Sequence, residues 1–134
     1  MSYHTQTYQE LKELCDDPGV SLAEVDPGAV TDMHELFADS KRSAAQFAGI
    51  EDWDVSHVTD MNCMFLRAKS FNGDLSRWDV SNVTSMSYMF DGAETFNGDL
   101  SRWDVSNVTS MSYMFCGAET FNGDLSRWDV SRVT

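Results

Sequence analysis

Basic residues are scarce: nine Lys and Arg stand against 22 Asp and Glu, a formal net charge of −13. Phosphate binding needs clustered cations, so the composition argues against nucleic acid as a partner and against an anionic membrane surface. No apolar run approaches the roughly 18–20 residues of a membrane span, so no membrane insertion is expected. The opening stretch Met1–Gln6 is polar and has neither the basic nor the apolar part of a signal peptide. Three cysteines, Cys15, Cys63 and Cys116, make an odd count without metal-ligand spacing, which points to free thiols. The histidines His4, His34 and His57 are scattered, and G-x-S-x-G, H-E-x-x-H, C-x-x-C and phosphate-loop patterns are all missing. No enzyme, no cofactor and no metal site is expected.

What the chain does have is repetition. Trp53, Trp78, Trp103 and Trp128 recur every 25 residues, and Phe96–Thr120 repeats Phe71–Thr95 with one change, Asp91 to Cys116. Residues 47–70 are a diverged copy, residues 121–134 a partial one, and residues 29–46 a worn half-repeat. Residues 1–28 differ in kind. Thr7 and Glu10 are spaced as a capping box, and Tyr8, Leu11, Leu14 and Cys15 follow at helical intervals. That stretch is expected to form an N-terminal helical cap and lead-in. At the other end Thr134 stops mid-unit, so a longer array, or end-to-end self-association at an uncapped C-terminus, is expected.

Within a unit, Trp78 and Val80 alternate with Arg77, Asp79 and Ser81, the period-two sign of a short strand. Met86, Met89 and Phe90 then fall at helical spacing, with Gly92 placed to end the helix. One unit cannot bury its apolar face alone, whereas stacked units can. The expected fold is therefore an α/β repeat solenoid, with short parallel strands and short helices in each 25-residue coil.

Stacking would place Arg77, Asp79, Ser81, Arg102, Asp104, Ser106, Arg127 and Asp129 in exposed columns, and these are the candidate ligand-binding residues. Like charges about 4.8 Å apart repel unless something neutralises them. Three remedies exist: pairing of Arg with Asp on the same face, acceptance by Asp of backbone N–H groups in the turn that follows, or cations bound along the column. Asn72-Gly73-Asp74 and its copies are turn chemistry rather than calcium loops. Asn82-Val83-Thr84 and Asn107-Val108-Thr109 have the form of glycosylation sequons, but a buried Asn ladder between backbones is the favoured account.

The wording F-N-G-D-L-S-x-W-D-V-S-N-V-T-x-M-S-x-M-F-x-G-A, over about Val25–Thr134, resembles the BspA-like, Mycoplasma-lipoprotein type of bacterial surface protein repeat. That resemblance implies a leucine-rich-repeat-like solenoid at the cell surface or outside the cell, engaged in adhesion or recognition of a protein or glycan. A structural spacer with no ligand of its own is the alternative, and a calcium-stabilised surface repeat the third reading.

Overall fold

The computed structural model describes residues 2–134; Met1, the first residue of the polar opening stretch, lies outside them. Regular elements gather on the N-terminal side. Strand β1 (Tyr3–His4) pairs in parallel with β2 (Val25–Asp26), Tyr3 opposite Val25 and His4 opposite Asp26. Between them lies α1 (Tyr8–Asp16). Its start obeys the Thr7–Glu10 signal: the Glu10 N–H donates to Thr7 Oγ1 at 3.2 Å, satisfying one first-turn donor. Leu11 and Cys15 form its buried face. Three 3-10 turns, Leu22–Glu24, Ala44–Phe47 and Ile50–Asp52, complete the set among the described residues.

The expected α/β, leucine-rich-repeat-like solenoid, with a strand and a helix in every coil, is overturned. From Trp53 to Thr134 the chain holds no helix and no strand, only turns, irregular backbone and isolated single-residue bridges. Local bonds explain the missing strand. Ser81 N–H donates to Asp79 Oδ1 at 3.0 Å and Val83 N–H to the Val80 carbonyl at 3.0 Å, which folds this stretch into successive turns. The parallel bridges fall elsewhere, linking Asp32 to Asp60, Asp60 to Ser85 and Ser85 to Ser110.

Sideways bonds explain the missing helix. Met86, Tyr88, Phe90 and Gly92 donate their N–H groups to the carbonyls of Ser110, Ser112, Met114 and Cys116, at 2.9, 2.8, 2.9 and 2.8 Å. The intervening residues close three-residue turns, Met89 to Met86, Asp91 to Tyr88 and Ala93 to Phe90. Tyr88 sits at φ 61°, a left-handed conformation that no α-helix tolerates. So short a segment cannot sustain a helix alone, and the neighbouring carbonyls take the donors that a helix would use.

Residues 25 to 28 apart in sequence do meet in space. Phe37, Phe65, Phe90 and Phe115 stack at centroid distances of 5.6, 5.6 and 5.7 Å, within 7° of parallel. Phe71, Phe96 and Phe121 form a second row, spaced 5.5 and 5.8 Å. The rows touch at 4.0, 4.3 and 4.4 Å through Phe65–Phe71, Phe90–Phe96 and Phe115–Phe121. Trp53, Trp78 and Trp103 are buried beside them, and their indole N–H groups donate to the Leu22, Ile50 and Leu75 carbonyls at 3.0, 3.0 and 2.9 Å. Each ring thus buries its apolar body and satisfies its one polar atom.

A single arginine ties the lead-in to this core. Arg42 is 2% exposed. Its guanidinium donates to the carbonyls of Leu14, Cys15, Asp17, Val20 and Gln46 at 2.7–3.2 Å. Three of those oxygens belong to the end of α1 and its first following residue, where a helix leaves acceptors free and favours positive charge. No carboxylate pairs with it among the described residues.

Candidate functional site

The eight predicted residues lie on turns rather than on a strand. Arg77, Asp79, Arg102, Asp104, Arg127 and Asp129 are exposed, and Ser81 and Ser106 are half-buried. The aspartates turn back on their own chain. Asp79 and Asp104 each accept the hydroxyl of the Ser two residues on at 2.6 Å, and its N–H at 3.0 Å. Asp54 does the same with Ser56, and Asp129 accepts the Ser131 N–H at 3.0 Å. The serine hydroxyl first, and the serine N–H second, hold the carboxyls of Asp54, Asp104 and Asp129 below the usual carboxylate range.

Of the three ways to neutralise the acidic column, acceptance of backbone N–H groups is the one the geometry contains. Pairing of Arg with Asp on that face does not form. Arg77 Nη2 reaches Asp52 Oδ1 at 3.1 Å instead, the acid that stands where later copies carry arginine. Arg102 and Arg127 make no ion pair among the described residues. Since Ser81 and Ser106 hydrogen-bond through Oδ1 alone, the second carboxylate oxygen of Asp79 and Asp104 has no partner within the described chain.

Asn82 and Asn107 do bond successive backbones, their Nδ2 groups donating to the Ser56 and Ser81 carbonyls at 2.7 Å. Burial was the wrong part of that expectation: Asn82 is exposed and Asn107 half-buried. At the equivalent position His57 has a buried Nε2 without a hydrogen-bond partner among the described residues. Asn72-Gly73-Asp74 is itself irregular backbone, not the expected turn; the turn falls just after it at Ser76-Arg77, where Ser76 N–H donates to Asp74 Oδ1 at 2.9 Å, and the copies at Asp99 and Asp124 repeat this.

Two features escaped the sequence reading. Tyr88 and Tyr113, 38% and 63% exposed, stack at 5.2 Å. Their column was legible, but its left-handed backbone, which turns the side chains outward, was not. The second is an apolar cavity of about 320 Å³ lined by Met111, Met114, Phe115, Leu125, Trp128 and Val130. Beside it the N–H groups of Met111, Tyr113, Phe115 and Gly117 make no hydrogen bond among the described residues. These are the counterparts of the four donors that bind sideways one copy earlier. The opposite side of the stack is covered: the Tyr8 hydroxyl donates to the His34 carbonyl at 2.6 Å, and Lys12 Nζ to those of Glu35 and Leu36 at 2.9 and 3.3 Å. Burial, then the charges of Glu35 and Asp32, push the Tyr8 hydroxyl up to about 12.

Among the described residues no group of three or more His, Cys, Asp or Glu is placed to hold a metal ion. No helix there is long and apolar enough to cross a membrane. Cys15, Cys63 and Cys116 are free thiols, respectively buried, half-buried and exposed. A family profile described as "Mycoplasma protein of unknown function, DUF285" matches residues 31–134. No curated protein and no solved structure matches the chain.

Proposed function

The chain belongs to the family described as Mycoplasma protein of unknown function, DUF285, and from that premise we propose that it is a non-catalytic recognition or adhesion module of the cell surface, binding a protein or glycan. The observation that carries this reading is the row of exposed turns at Asp54, Asp79, Asp104 and Asp129, the last three each following an exposed arginine two residues earlier. An enzyme brings different groups to one point. A row offers the same groups repeatedly, which suits a multivalent or extended ligand.

The test is a protein and glycan binding panel with the intact chain and two variants. Reversal of Arg77, Arg102 and Arg127 to Glu is expected to abolish binding to an acidic or mixed-charge ligand. Replacement of Asp79 and Asp104 by Asn, which keeps the turn bonds, is expected to weaken a basic one. A ligand held equally by all three proteins would remove this face from consideration, and no ligand for any of them would favour a structural spacer.

A further inference from the structure

Tyr88 and Tyr113 hold the same place in successive copies, 25 residues apart. Each sits in the left-handed region, at φ 61° and 55°, which carries its ring outward. The two rings stack at 5.2 Å with 20° between their planes. The backbones beneath them are joined, since the Tyr88 N–H donates to the Ser112 carbonyl at 2.8 Å. Tyr88 has Cys63 before it and Tyr113 after it in the column, and is still 38% exposed. A tyrosine at this place thus stays open to solvent when another copy follows. The Tyr8 hydroxyl donates to the His34 carbonyl, whereas neither of these two hydroxyls has a hydrogen-bond partner among the described residues.

We infer that Tyr88 and Tyr113 form an oxidative cross-linking site, at which hydrogen peroxide and a haem peroxidase join two successive copies through a carbon–carbon bond. The peroxidase takes one electron from each phenol, and each phenol releases its proton. Two ring carbons beside the hydroxyls, one from each radical, then bond. Each of those carbons passes its hydrogen, as a proton by way of water, to its own ring oxygen, which restores both phenols. The two electrons and two protons reduce one peroxide to two waters. Two tyrosines and one peroxide therefore give one linked pair and two waters.

Coupling requires two radicals to meet before either is quenched. Here the ladder bond keeps both rings one coil apart, an effective concentration far above that between separate chains at micromolar level. The stacked rings must first slip from face to face toward edge to edge. Exposed side chains rotate on the picosecond to nanosecond scale, and that motion leaves the ladder bond in place. Tyr3 is the comparison. It is 42% exposed on β1 but stacks on no other ring among the described residues. The product ties together positions 25 residues apart, which restricts the unfolded chain as a disulfide does.

The intact chain is alkylated at its exposed Cys116 thiol, so that the thiol does not consume oxidant, then diluted and given haem peroxidase with pulses of peroxide. The expected product is a monomer lighter by two hydrogens, with the blue fluorescence of a linked phenol pair. Trypsin should release Trp78–Arg102 joined to Trp103–Arg127. The cross-linked chain should unfold at higher urea than the untreated one. Tyr88→Phe, which keeps the ring and removes the hydroxyl, should abolish the product, and Tyr3→Phe should leave it unchanged. Links formed only between chains, links within the chain that include Tyr3, or no product while free tyrosine in the same tube is coupled would each overturn the assignment.

Discussion

Arg42 is the residue on which most depends. Sequence reading passed over it, because one cation in the polar run Ser40-Lys41-Arg42-Ser43 looks like any solvated charge. Nothing in that run says that five carbonyls converge on it. Replacement by Met leaves those acceptors without donors in a closed site, and is expected to lower stability by about 3 kcal/mol or more. Arg42→Lys keeps the charge but has fewer donors and no planar fork, so it should recover only part of the loss. Urea unfolding checks both. The aspartates make a pH prediction. Asp54, Asp104 and Asp129 have lowered pKa values when folded. Their contribution is complete above the unfolded value of roughly 3.9, and is lost as pH falls through the lower folded values. The urea midpoint should therefore drop on acidification below about pH 4. Changing all three to Asn, which retains the acceptor oxygen, should flatten that drop.

Among elements, the apolar positions were legible and the backbone was not. Trp78, Val80, Met86, Met89 and Phe90 were all assigned inward from their spacing, and all are buried. Their periodicities of two and of three or four also read as strand and helix, and there the inference failed. A pattern of side chains fixes which atoms face inward, but it does not say which carbonyl each N–H will choose. Here four of the seven N–H donors of the Met86–Gly92 stretch choose the adjacent copy. Left-handed residues make that choice workable. Glu35, Cys63, Tyr88 and Tyr113 all sit at φ 55–61°. Cys63→Gly should accordingly be neutral or stabilising by up to about 1 kcal/mol, whereas Cys63→Val should destabilise by about 1–2 kcal/mol. Thermal midpoints of the two variants separate backbone strain from loss of the thiol.

At the scale of the molecule, the phenylalanine rows supply five of the largest fully buried side chains, Phe37, Phe65, Phe71, Phe90 and Phe96, and position along them sets the cost of damage. Phe90 is enclosed by Phe65, Phe96 and Phe115 at 5.6, 4.3 and 5.7 Å. Phe90→Ala is expected to cost about 3–5 kcal/mol. Phe115, half-buried beside the cavity, should cost clearly less when made Ala, because less of its ring is removed from water. A urea denaturation series along Phe65, Phe90 and Phe115 would reveal the gradient. Rings held this nearly parallel carry one more consequence. Trp103 and Trp128 lie 6.4 Å apart and within 2° of parallel, close enough for their ultraviolet transitions to mix. The chain therefore bears an intrinsic optical gauge, in which the near-ultraviolet dichroism of a coupled indole pair follows alignment at the open edge without any added label.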